Sequence, residues 1–395
     1  MATSSSSWAT VLDFLQSSSS KAIEAFQKAH WDEICRIASK HYNSKGCRAL
    51  DSVACGMNNV VRMLEFSDGT RWVARVHISS TDSDITRIKL ESEVATMQYI
   101  SQHSSLPVPR ILSYDLDPKG PAGVPFILME LIPGTVAMDA LGGYNAHRGV
   151  IPRRHRPNFY RSVAACHVQI TSLRFPKIGI ITRTGDGGYE MGPLPGIGGP
   201  FETATAFFEA WANSVQFKRN REAITNMMQR GPIPAERMVA IVENFPKQIK
   251  AMAARISTHD NGPFPLDHDD FLHSNILVDE TNFDVTGIID WEGACAVPWE
   301  LVAFPEFIQT LPASFDLPKN YDQNGEPLDE GTKDVWRERR DYVDMVKSFE
   351  TEDCLLSDCL GSARCQALAY SYGAYTSVGK LGFYDQVIKF VQDNE

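Results

Sequence analysis

The sequence predicts an α+β fold of two lobes, a small β-rich N-terminal lobe and a larger, mostly helical C-terminal one. Three observations predict it. The chain has 395 residues, 43% of them hydrophobic and 22% charged, which is enough for about two globular domains with substantial cores. Strand patterns joined by turn residues dominate the first third. From Phe159 onward apolar residues recur mainly at helical spacing, interrupted by one two-strand pattern that ends at Asp290.

Met1 to Ser20 holds two serine runs and reads as a frayed tail. Lys21 to His41 has helical character, with Ala25, Phe26, Ala29, Ile34 and Ile37 on about one face, so it should pack on the adjoining lobe. Residues 1–50 are expected to form this helical extension, 51–131 the N-lobe and 132–395 the C-lobe. Val60–Phe66 and Arg71–Ile78 read as a hairpin, because Ser67-Asp68-Gly69-Thr70 carries an Asp-Gly turn signal. Trp72, Ala74, Val76 and Ile78 alternate with Val73, Arg75 and His77, so Arg75 projects opposite Ala74. Glu91–His103 reads as a helix with Val94, Met97 and Ile100 at threefold spacing, and Pro107-Val108-Pro109 ends it. Phe126–Glu130 reads as a buried strand before a Pro133-Gly134 turn. Phe159–Thr171, Phe201–Ala212 and Pro234–Ile256 read as helices, as does Asp334–Phe390 with breaks at Gly361 and Gly382.

The chemistry is concentrated in Leu266–Trp291, LDHDDFLHSNILVDETNFDVTGIIDW. His268, Asp270 and Asn275 have the spacing H-x-D-x-x-x-x-N, and Asp290 closes an apolar run. This is an acid/base and metal layout suited to phosphoryl transfer from ATP. An acceptor hydroxyl needs a carboxylate to take its proton, and Asp270 is placed for that. A triphosphate needs Mg²⁺, a hard cation that prefers oxygen ligands; Asn275 offers an amide oxygen and Asp290 a carboxylate. Asn275–Asp279 and Val285–Asp290 read as two strands around turn residues, a hairpin that would bring Asn275 and Asp290 to one mouth. His268 reads as a residue that orients the catalytic loop by hydrogen bonds, and His273 as a loop residue.

Asn275-Ile276-Leu277-Val278-Asp279 followed by Gly287-Ile288-Ile289-Asp290-Trp291-Glu292 resembles the aminoglycoside phosphotransferase/choline kinase family, and most of all its branch from filamentous fungi. The resemblance covers roughly Ser52 to Glu350. It implies a protein-kinase-like fold and a small-molecule kinase that uses Mg²⁺ and ATP. It further implies that Arg75 stands where kinases carry a phosphate-gripping Lys. Arginine binds phosphate bidentately, though its fork is bulkier than an ammonium, and an exposed strand arginine is the alternative. The family pairs that cation with a helix glutamate, here Glu93, with Glu91 as the alternative. Phe126–Gly134 resembles the inter-lobe hinge, where the backbone of Glu130 to Ile132 would read adenine. Ser52–Val60 occupies the phosphate-loop position with one glycine, Gly56, and a plain loop is as good a reading. Glu300 is a candidate buttress of the catalytic loop.

The remaining composition narrows the function. Net charge is −11 and pI about 5.4, against a broad nucleic-acid surface or an anionic membrane. No apolar run reaches the length of a membrane span, and the N-terminus is a poor signal peptide. Eight cysteines without a C-x-x-C pair read as reduced core thiols, hence a cytoplasmic setting. Only Trp291–Val297 separate Asp290 from Pro298, which leaves no room for a peptide-docking activation loop and favours a small-molecule hydroxyl acceptor over a protein. The rival is a catalytically weak pseudokinase acting as a nucleotide-binding or scaffold protein. Asp341, Asp344, Glu350 and Asp353 could hold an amine or form an ordinary charged helix face.

Overall fold

A computed structural model describes residues 8–78, 84–230 and 233–394. Three helices open it: α1 (Val11–Ser17), α2 (Ser20–Lys28) and α3 (Trp31–His41). The serines and threonines that read as a frayed tail cap these helices. Thr10 Oγ1 accepts from the Asp13 N–H and Ser19 Oγ from the Ala22 N–H, which satisfies donors a helix start leaves open. Met1 to Ser7 lie outside the described residues. The single helix expected over Lys21–His41 breaks at Ala29–His30.

Strands β1 (Cys47–Cys55), β2 (Asn59–Phe66), β3 (Arg71–His77), β4 (Ile111–Asp115) and β5 (Phe126–Glu130) form an antiparallel sheet in the order β1-β2-β3-β5-β4. β1 was not legible as a strand; Gly56-Met57-Asn58, within the expected phosphate-loop position, forms its turn into β2. One face of β3 carries Trp72, Ala74 and Val76, all buried in a core with Ala25 of α2, Ala29 just after it, and Ile34, Cys35 and Ala38 of α3. The N-terminal helices therefore pack on the sheet as their apolar face requires. The other face of β3 carries Val73, Arg75 and His77, also buried. Helix α4 (Asp84–His103) starts earlier than expected and brings Glu93 to that face.

The chain divides into two compact units. The first comprises residues 1–159, 182–189 and 270–293. Beyond the sheet it holds β6 (Thr135–Val136) and α5 (Gly143–His147), and most of the segment Leu266–Trp291. The second, residues 160–181, 190–269 and 294–395, is mainly helical. Its elements include α6 (Arg156–Ser172, which begins in the first unit), β7 (Arg174–Phe175), β8 (Ile180–Arg183) and its partner β9 (Tyr189–Gly192), which each have residues in both units, α7 (Ala204–Ser214), α8 (Arg221–Met228), α9 (Ala235–Ile256) and β10 (Phe264–Asp267). In the first unit again, β11 (Ile276–Val278) and β12 (Val285–Ile288) form the expected hairpin. β13 (Cys295–Ala296), α10 (Glu330–Phe349), α11 (Leu355–Gly361), α12 (Ala363–Gly373) and α13 (Tyr384–Asp393) complete the second unit. An antiparallel sheet with a helix on one face in the N-terminal region, followed by a mostly helical C-terminal region, is the protein-kinase-like fold. No helix among the described residues is long and apolar enough to cross a membrane.

Candidate active site

The site is assembled from three stretches of the first unit. The hairpin comes first. Ile276 pairs with Ile288 and Leu277 with Gly287, and the Ile289 N–H donates to the Asn275 carbonyl at 2.9 Å. That closure sets Asn275 and Asp290 side by side at the open end of the hairpin. Trp291 is fully buried and its indole N–H donates to the Ile288 carbonyl at 3.1 Å, anchoring the strand end. Asp290 itself stands at φ +65°, a left-handed conformation that Asp tolerates better than β-branched residues and that is common at functional sites.

Asn275 is buried at 8% exposure. Its Nδ2 donates at 2.9 Å both to the Asp270 carbonyl and to Asp270 Oδ2. Both amide hydrogens are thereby committed to Asp270, and the amide oxygen is left as an acceptor. Asp270 is exposed, with its carboxylate held by this contact.

The second stretch is the inward face of β3. Arg75 bonds to Glu93, and their side chains are 8% and 0% exposed. The alternative glutamate, Glu91, is exposed and pairs with Arg87 at 2.9 Å. Arg75 Nη1 also lies 3.7 Å from Asp290 Oδ1. Burial alone would lower the Arg75 pKa, but Glu93, then Asp290 and Glu292, hold it above its ordinary value. Asp290 is also pushed up, to about 6, chiefly by burial and further by Glu93, Glu292 and Asp270, with Arg75 opposing. A carboxylate so placed gains from a cation beside it.

Glu292 was not picked out from the sequence. Its carboxylate lies 3.8 Å from His77 Nε2, and the bond to His77 holds its pKa low. The available signal was that Arg75 and His77 share one face of β3 while Asp290 and Glu292 sit two residues apart.

The third stretch is the hinge. After Glu130 the chain runs straight into β6, which pairs with β11 through Val136↔Leu277 and Thr135↔Val278. Two glycines permit this close approach. A Cβ on Gly134, at φ +130°, would fall 2.4 Å from Thr286 Oγ1, and one on Gly287 would fall 3.0 Å from Ile132 Cδ1. Ile132 thus packs directly on the β11–β12 hairpin. Glu130 is exposed; its N–H donates to the Arg110 carbonyl at 3.0 Å and its side chain lies 3.5 Å from the Arg110 guanidinium.

Other candidates fall in the second unit. His268 is buried at 1% exposure at the end of β10. Glu300 is equally buried, and its Oε1 accepts from the Thr258 N–H at 3.0 Å, bracing the end of α9. Asp267 is pushed up to about 7, by burial first and then by Asp269. Of the acidic face, Asp353 is tied to Arg174 at 2.6 Å and Glu350 caps α11 through the Ser357 N–H.

A family model described as the phosphotransferase enzyme family matches residues 56–299. A relative from Candida tropicalis, the altered inheritance of mitochondria protein 9, is 33% identical over 91 residues, 23% of this chain and 15% of that protein. This chain therefore matches only a small part of that relative's length. The clavilactone A biosynthesis cluster protein Y of Ampulloclitocybe clavipes is 24% identical over 312 residues, 74% of this chain and 72% of that one. Among solved structures, an aminoglycoside phosphotransferase from Streptomyces rimosus is 14% identical with a TM-score of 0.41, covering 84% of this chain and 98% of its own. A thermostable mutant of another aminoglycoside phosphotransferase, in complex with ADP and hygromycin B, is 15% identical with a TM-score of 0.45, covering 91% of this chain and 98% of its own.

Proposed function

The chain belongs to the phosphotransferase enzyme family whose model spans its residues 56–299, and on that premise we propose that it moves the γ-phosphate of ATP to a hydroxyl of a small molecule. One observation carries the reading. Asn275 fixes the exposed Asp270 carboxylate with its amide hydrogens and keeps its amide oxygen for a cation, beside Asp290 and the buried Arg75–Glu93 pair.

The donor set fits Mg²⁺ carried in with a nucleotide. Among the described residues no group of three or more His, Cys, Asp or Glu side chains is gathered around a metal position. One amide oxygen and one carboxylate suit a cation whose other ligands are water and phosphate oxygens. Asp290 Oδ1 is buried without a hydrogen-bond partner; the Arg75 guanidinium at 3.7 Å offsets part of that cost, and a bound cation would offset more. Bound Mg·ATP would supply the phosphoryl group and neutralise its developing charge.

The residues then divide the work. Asp270 takes the proton of the acceptor hydroxyl as the hydroxyl oxygen bonds to the γ-phosphorus; the bond to the β-phosphate breaks and ADP leaves with its electron pair. Asn275 holds Asp270 in one rotamer and shares the metal with Asp290. Arg75, braced by Glu93, meets a phosphate oxygen. The backbone from Glu130 to Ile132 reads the adenine; since the Glu130 N–H is spent on Arg110, the donor falls to the residues after it. His268 positions the loop that carries Asp270. The N-lobe is taken as residues 51–131 and the C-lobe as 132–395, with a cytoplasmic setting. The short Asp290–Pro298 connection supports a small acceptor.

Titration calorimetry with ATP, in the presence of Mg²⁺ and then of EDTA, tests the reading. Metal-dependent binding in the micromolar to millimolar range is expected. No heat at millimolar Mg·ATP overturns it.

A further inference from the structure

The second unit holds a cavity of about 560 Å³, walled by the segment 304–314, α10, α11, α12 and Phe390. Its size is within the range of small-molecule sites. Phe304, Trp336, Tyr370 and Phe390 give it an aromatic lining. All of its lining residues belong to the second unit, and none of them is among the residues assigned to nucleotide or metal.

Arg339 interrupts the apolar wall. The Arg339 guanidinium lies 4.2 Å above the Phe304 ring and donates to Thr310 Oγ1 at 2.6 Å. Burial lowers its pKa to about 10 and no neighbouring carboxylate offsets this, so it is a desolvated cation lacking a counter-charge among the described residues. Trp336 Nε1 and Ser314 Oγ are both buried without a hydrogen-bond partner. Arg340 and Asp344 also line the wall, but both are exposed and so are screened by solvent.

We propose that this cavity binds a small aromatic carboxylate, its ring against Phe304, Trp336 and Tyr370 and its carboxylate on Arg339. A neutral aromatic of the same shape keeps the ring contacts and loses the charge-assisted bond. An amine is disfavoured by the unpaired Arg339. The site does not depend on the phosphotransferase reading, because its readout is binding in the absence of nucleotide.

Calorimetry with naphthoate, indoleacetate and the matching neutral amides tests it on the full chain. At least one carboxylate is expected to bind roughly tenfold or more tightly than its amide, the scale of one hydrogen bond to a charged group. Arg339→Met, which keeps the packing over Phe304, should abolish that preference. Ala363→Trp, at an exposed wall position, should weaken acid and amide together while sparing the fold. The proposal is overturned if no carboxylate binds at millimolar concentration, or if acids and amides bind alike. It is equally overturned if Arg339→Met keeps the preference or Ala363→Trp leaves affinity unchanged.

Discussion

The Arg75–Glu93 pair separates folding from nucleotide binding, because its two side chains are 8% and 0% exposed. Arg75→Ala leaves Glu93 as a buried carboxylate without its cation, and it removes the positive charge 3.7 Å from Asp290. Breaking such a pair from one side costs about 3–5 kcal/mol. At about 2–4 °C per kcal/mol for a unit of this size, either single variant should melt on the order of 10 °C below wild type. Replacing both with Met removes the two charges and refills the volume, and such apolar swaps are often neutral. The double variant should therefore melt near wild type yet bind Mg·ATP poorly, since no cation remains for the phosphates. Arg75→Lys should retain much of the affinity. Scanning calorimetry in EDTA gives the stabilities, and Mg·ATP titration of the same proteins gives the affinities. If the single variants cost less than about 1 kcal/mol, the pair behaves like a solvated surface bridge. If the double variant binds Mg·ATP as wild type does, Arg75 has no phosphate role.

Asp290 yields a pH signature. Its carboxyl is pushed up to about 6 in the folded chain, so between the unfolded value near 4 and 6 the native state holds more protons than the unfolded one. Stability in EDTA should fall as pH rises through that window and then level off. Asp290→Asn should lack this fall and exceed wild type at neutral pH by roughly 1 kcal/mol, a figure already reduced for the side chain's 39% exposure. Mg·ATP should reverse the order, stabilising wild type and not the variant; denaturant titrations with and without nucleotide would expose a failure of either half. Gly287→Val should push on Ile132, cost about 1–3 kcal/mol and weaken nucleotide affinity. Unchanged melting and affinity in that variant would show that the hinge does not rest on the hairpin.

Much of the fold was legible because local patterns agreed with the final packing. The Asp68-Gly69 turn and the strict alternation in β3 placed Arg75 on the face opposite Ala74, and that is the face Glu93 meets. The hairpin was legible for the same reason: its turn residues and β-branched runs force Asn275 and Asp290 together. β1 was hidden because Asp51 and Ser52 interrupt its apolar residues, and its register shifts between Ala49 and Val53. The N-terminal serines misled because the residue types that favour disorder also cap helices. The choice between Glu93 and Glu91 needed three dimensions, since both are helical and lie two positions apart. Arg339 was equally hidden: its neighbours Phe304 and Thr310 are 35 and 29 residues away in sequence.

The central claim is that Asp270 takes a proton from an acceptor hydroxyl while other residues hold the nucleotide. The most direct test compares wild type with Asp270→Asn in transfer of labelled γ-phosphate to fractionated metabolite extracts, alongside Mg·ATP binding by calorimetry. The account predicts unchanged melting, nearly unchanged Mg·ATP affinity and a loss of transfer of roughly 10²–10⁴-fold, the range for removing a general base. Slow background hydrolysis of ATP should fall less, because no acceptor hydroxyl takes part. Transfer that survives Asp270→Asn, or Mg·ATP binding with no Asp270-dependent transfer to any fraction, would contradict it.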